Sequence, residues 1–144
     1  MKTLIIWAVI LTVIWFAWDY FKKHPHTDTA ASAGSSAAQS CTSAASLTAD
    51  AWGSGVGHFA NPPYDTAAWD EFRSRIESQA RRAEEKCLCA EPGCSTAKGA
   101  MSDLRNLITE MDQSLRSGSP PPADLVQRQE AIDNAVNAAR DQTK

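Results

Sequence analysis

Residues 4–18 carry no charge and include three tryptophans, Trp7, Trp15 and Trp18, among Ile, Val and Leu. Nothing else in the chain restricts its fold so strongly, because a helix apolar on every side must be buried in protein or in lipid. Counted on to Phe21, the segment makes roughly 27 Å of helix at about 1.5 Å per residue, close to the hydrocarbon thickness of a bilayer. Tyr20, Lys22 and Lys23 follow and suit the headgroup region. The expectation is a single transmembrane anchor over residues 1–23, with the lipid bilayer as its first partner.

A cleaved signal peptide has a similar core. Here the core runs into Asp19-Tyr20-Phe21-Lys22-Lys23 and not into a small-x-small cleavage site. The nearest such site, Ala31-Ser32-Ala33, lies too far downstream, so retention is expected. Cys41 lacks the position and the upstream aliphatic residue of a lipoprotein acylation site. Lys2 on one side and Lys22 with Lys23 on the other barely choose an orientation by flanking charge. Cysteine usage chooses instead. Four Cys in a short polar chain fit an oxidising compartment. The expected setting is a bacterial inner membrane with the N-terminus cytoplasmic and the C-terminal part periplasmic.

At 100° per residue, Leu4, Trp7, Leu11, Trp15 and Trp18 share one face of the anchor. Such a stripe reads either as an aromatic belt at the membrane interfaces or as a face that packs on neighbouring subunits. It does not suit tight self-dimerisation, since the segment has no Gly and no small-xxx-small pair on that face.

Residues 25–50 are mostly Ala, Ser and Thr, with no Lys or Arg. Few large apolar groups offset the entropy of ordering there, so a flexible tether is expected. Residues 51–64 differ in holding Trp52, Phe59 and Tyr64 among Gly and Pro, and these aromatics are expected to dock the segment onto a hydrophobic surface. Gly53-Ser54-Gly55-Val56-Gly57 has no preceding strand and no following Lys, which argues against a phosphate-cradling loop. Together residues 24–64 form the expected linker.

Residues 65–144 carry helical periodicity. Trp69, Phe72, Ile76, Ala80, Ala83 and Cys87 make one stripe, with Asp65 or Thr66 as N-cap of a helix over 66–88. Met101, Leu104, Ile108, Met111 and Leu115 make a second over 95–117, stopped by Gly118. Leu125, Ile132, Val136 and Ala139 make a third, entered through Ser119-Pro120-Pro121-Pro122. The fold class is therefore all-α, with short connections that make neighbours antiparallel: a three-helix bundle, or a hairpin with a third helix leaning on it. Glu71/Arg75, Glu77/Arg81, Asp112/Arg116 and Asp124/Arg128 are i,i+4 pairs that mark solvated faces. By the same reading Arg81 and Arg82 lie at the surface. An Ala-rich core of this size is marginal without staples.

Cys87, Cys89 and Cys94 cluster at the turn between the first two of these helices. Bridging the helix ends across that turn is geometrically easy, and the remaining cysteine is free to pair with Cys41. Four cysteines allow three pairings; only Cys87–Cys89 is set aside, as too tight a ring. A metal site is disfavoured by the absence of C-x2-C spacing and of a nearby His. A reactive thiol is disfavoured because Lys86 stands against Glu84, Glu85 and Glu91.

The net charge of −3 gives no basic stripe for nucleic acid. His24, His26 and His58 all lie outside the expected bundle, leaving it no neutral-pH base, and no haem-attachment signature or cofactor motif is present. No small-molecule substrate is evident. The expectation is a non-catalytic accessory subunit of a bacterial membrane-protein complex, for example a photosynthetic or respiratory one. The alternative is a membrane-tethered thiol-redox or metal-handling protein built on the Cys-x-Cys cluster.

Overall fold

The computed structural model describes residues 33–144, with side chains from residue 37 onward. The anchor expected over 1–23, with its face of Leu4, Trp7, Leu11, Trp15 and Trp18, and also His24 and His26, lie outside the described residues. Among the described residues no helix is long and apolar enough to cross a membrane.

Four α-helices and no strand make up the described fold: α1 Ala33–Val56, α2 Thr66–Lys86, α3 Pro92–Arg116 and α4 Leu125–Asp141. A short 3-10 turn, Gly57–Phe59, follows α1. Two expectations are corrected here. The flexible linker expected over 24–64 is helical from residue 33 to 56, and the bundle therefore has four helices where three were expected. Residues 33–144 fall within one compact unit.

The reason lies in which residues α1 buries. Ala38, Cys41, Ala45, Ala49, Trp52 and Val56 recur at intervals of three and four and are all buried. Small side chains bring the helix axes close, and the buried hydroxyls do not go unmet. Thr42 Oγ1 donates to Gln39 O at 3.3 Å and Thr48 Oγ1 to Ala44 O at 2.8 Å. Both groups thus enter the core without an unsatisfied polar atom, which would cost about 1–3 kcal/mol each. In isolation these residues cannot offset the entropy of ordering; the facing helices of the bundle supply the surface that does.

The other helices follow their stripes. Asp65 caps α2 by accepting from Ala68 N at 3.0 Å. Pro92 occupies the first turn of α3, where its missing N–H is not needed. Gly118, at φ 69°, ends α3 in the left-handed region that other residues resist. All six stripe residues of α2, including Cys87 at its C-cap, and all five of α3 are buried. On α4, Ile132, Val136 and Ala139 are buried while Leu125 packs at the edge.

Ion pairs and hydrogen bonds fix the register of adjacent helices as antiparallel. Trp69 pairs with Asp112 and Glu84 with Arg105, so α2 and α3 run in opposite directions. Glu110 pairs with Arg128 and Thr96 with Gln142, which does the same for α3 and α4. The backbone of Gly53 faces Gln129, and Cys41 is bonded to Cys87, closing α1 against α4 and α2. Of the four expected i,i+4 pairs, Asp112/Arg116 forms at 3.0 Å and Asp124/Arg128 at 4.0 Å. Glu77 instead pairs with Arg73 at 3.9 Å, and the Arg75 guanidinium lies 5.5 Å over the Phe72 ring.

Candidate functional site

The four cysteines lie together where the start of α1 meets the α2–α3 turn. Two bridges form: Cys41–Cys87, with Cα atoms 4.7 Å apart, and Cys89–Cys94, with Cα atoms 5.7 Å apart. No free cysteine remains among the described residues. Cys87 caps the end of α2, its N–H donating to Ala83 O and Glu84 O. That position aims its side chain at α1, one of whose buried positions is Cys41. The first bridge therefore ties α1 to α2, and the second closes the turn between α2 and α3.

The bridges differ in access. Cys41, Cys87 and Cys94 are buried, whereas Cys89 is partly exposed and its neighbour Leu88 is 73% exposed. Cys94 sits in the turn of α3 that faces α4. The backbone of Gly93 approaches α4 so closely that a Cβ there would meet Ala139 O at 2.6 Å, and Thr96 Oγ1 donates to Gln142 Oε1 at 3.3 Å. The last turn of α4 thereby covers the first turn of α3. A Glu91 carboxylate oxygen lies 3.7 Å from Cys94 Sγ.

The sulfurs of the two bridges are neighbours. Sγ atoms of Cys41, Cys89 and Cys94 all lie within 4.8 Å of one another. Bridged sulfurs offer no thiolate to a metal, so in this oxidised form the cluster acts as a pair of staples.

The opposite end of α1 holds the aromatics. Trp52 stacks on Phe72 with ring centroids 5.7 Å apart, and Phe59 meets Trp69 edge-on at 5.2 Å. Tyr64, partly buried, packs against the core. The hydrophobic surface that Trp52 and Phe59 meet is thus the bundle's own. Gly55 makes it possible, since a Cβ there would lie 2.2 Å from the Phe72 ring. Gly53 and Gly55 of the Gly-Ser-Gly-Val-Gly segment serve close helix packing, whereas Gly57 meets nothing within 4 Å and opens the 3-10 turn.

Beside these rings runs a groove of about 570 Å³ lined by His58, Asp65, Glu71, Phe72 and Arg75 among others. His58 is exposed at its rim. Nothing in the sequence marks this groove, because its walls come from α1 and α2, which only tertiary packing brings together. Arg81 and Arg82 are exposed, flanked by Glu77 and Glu85 along one open face of α2.

Comparison with known proteins finds no matching family model, no matching curated protein and no matching solved structure.

Proposed function

We propose that this chain is a non-catalytic accessory subunit of a bacterial membrane-protein complex, its four-helix domain held on the periplasmic face by the N-terminal anchor. The observation that carries this reading is the incorporation of residues 33–56 into the bundle as α1, covalently tied through Cys41–Cys87. Only residues 24–32 then separate the domain from the anchor. Even fully extended, such a segment reaches no more than about 30 Å. A domain on so short a lead meets surfaces near the bilayer, which are those of other membrane subunits.

Inside the membrane, the face of Leu4, Trp7, Leu11, Trp15 and Trp18 supplies the second contact. Large rings on one side of a helix suit neighbouring helices, while interfacial ordering accounts for Trp only near the two ends. Outside it, the stapled bundle presents a preorganised surface whose ordering cost is met within the chain itself.

Purification of the tagged full chain from native membranes in mild detergent, followed by mass spectrometry, tests this reading. Co-purifying membrane subunits that are lost when Trp7, Trp15 and Trp18 are all replaced by Leu are the expected result. Migration of the chain alone would overturn the proposal. Partner capture indifferent to the triple substitution would assign the contact to the bundle and leave the Trp face to lipid.

A further inference from the structure

We propose that the Cys89–Cys94 bridge is the entry point of a thiol–disulfide relay, through which an incoming dithiol reduces the buried Cys41–Cys87 bridge. The inference takes up the redox reading of the Cys-x-Cys cluster and is independent of the membrane partner.

Three observations carry it. Of the four sulfurs, only that of Cys89 belongs to a partly exposed residue, so it is the one a reductant meets. Cys94, its partner, sits in the first turn of α3, where the helix N-terminus stabilises a departing thiolate, and a better leaving group is displaced faster. Glu91, 3.7 Å from Cys94 Sγ, works against that charge and accepts the S–H once the sulfur is protonated. Finally, the freed Cys94 has a second disulfide within reach, because its Sγ lies within 4.8 Å of Cys41 Sγ. Exposed Leu88, immediately before Cys89, offers an apolar contact to the incoming partner.

One sulfur of the dithiol attacks Cys89 Sγ; the Cys89–Cys94 bond breaks and its electron pair leaves on Cys94. Cys94 Sγ then attacks Cys41 Sγ, forming a Cys41–Cys94 bond and expelling Cys87 as a thiolate, which takes one proton. The second sulfur of the dithiol attacks its own partner sulfur in the mixed disulfide with Cys89. Cys89 leaves and takes the other proton. The dithiol departs as a disulfide, and two electrons and two protons have entered the chain. The covalent tie of α1 has moved from the end of α2 to the start of α3.

Dithiothreitol, a neutral dithiol, serves as the probe. The full chain in detergent is exposed to it under native conditions, quenched in acid, alkylated, and mapped by peptide mass over time. Cys87 should become alkylatable at least about tenfold faster in the native chain than in a Cys89→Ser, Cys94→Ser double variant, where the buried bridge is reached only by opening the fold. Any destabilisation of that variant speeds opening, so it biases the comparison against the relay. A single Cys89→Ser variant, which leaves Cys94 unpaired, should yield a Cys41–Cys94 cross-linked peptide. Equal release of Cys87 in the native chain and the double variant would overturn the relay. So would a Cys89→Ser chain bridged solely through Cys41–Cys87.

Discussion

Trp69 donates its indole N–H to Asp112 Oδ1 at 2.9 Å, joining the fully buried ring of α2 to a carboxylate on α3. The same carboxylate accepts from Arg116 Nε at 3.0 Å and lies 3.6 Å from Arg73. Replacing it leaves a buried N–H with no acceptor and two guanidinium groups short of a partner. Asp112→Ala should therefore cost about 2–3 kcal/mol, against under about 1 kcal/mol for Asp70→Ala at an exposed pair. Urea midpoints of the two variants under the same conditions check the difference.

The same residue gives the fold an acid limit. Burial alone would push the Asp112 carboxyl upward. The hydrogen bonds from Arg116 and Trp69 and the charges of Arg73 and Arg116 outweigh it and hold the group below its ordinary 3.8. A depressed folded value means that the contribution is complete above 3.8 and is lost as pH falls through the folded value. Thermal melts between pH 7 and 2 should show a steepening loss below pH 4 that is reduced in Asp112→Asn.

Asp133 has the opposite sign. Burial first, and then the charge of Asp50 on the facing helix, raise its carboxyl above 3.8. Its ionised form is thus disfavoured in the fold, and stability is gained as pH falls through the raised value. Asp133→Asn should stabilise the chain at pH 7 by about 0.5 kcal/mol or less, the scale of a screened pair. That gain should shrink in melts below pH 4.

The two bridges should differ in weight. Cys41–Cys87 spans 46 positions and Cys89–Cys94 spans 5, so the loop-entropy model gives about 4 and about 2 kcal/mol respectively. Paired Ser substitutions at each bridge, compared by denaturant titration, measure the ratio. A larger loss on removing Cys89–Cys94 would contradict the assignment of Cys41–Cys87 as the principal staple.

Glycines in one segment should respond in opposite ways. Gly55→Ala forces a Cβ to within 2.2 Å of the Phe72 ring and should cost about 1–3 kcal/mol through displaced core packing. Gly57→Ala meets nothing within 4 Å and should be neutral or stabilising by up to about 1 kcal/mol. Thermal midpoints of the two single variants provide the comparison.

Helices α2, α3 and α4 were legible because Trp69, Phe72, Leu104, Ile108 and Ile132 mark their buried faces with large side chains. The caps at Asp65 and Gly118 were legible for the same local reason: each is set by one residue's own chemistry. Helix α1 was missed although its buried positions obey the same spacing. They are occupied mainly by Ala and Cys, whose burial releases little free energy in isolation and whose fit shows only against a partner surface. The cysteine cluster was legible as a structural staple and the involvement of Cys41 as an option. Its pairing was not, since connectivity depends on where α1 lies. The groove at His58 was invisible for that reason as well.

The Cys41–Cys87 bond also changes how the chain answers a pull. Tension applied from the N-terminal side enters α1 and, at residue 41, crosses directly to residue 87 through sulfur. Residues 42–86, which include all of α2 and the aromatic end of α1, lie on a closed side-branch that such a force cannot unravel. A pull arriving from that side would act on α3 and α4 and on the few turns of α1 before Cys41.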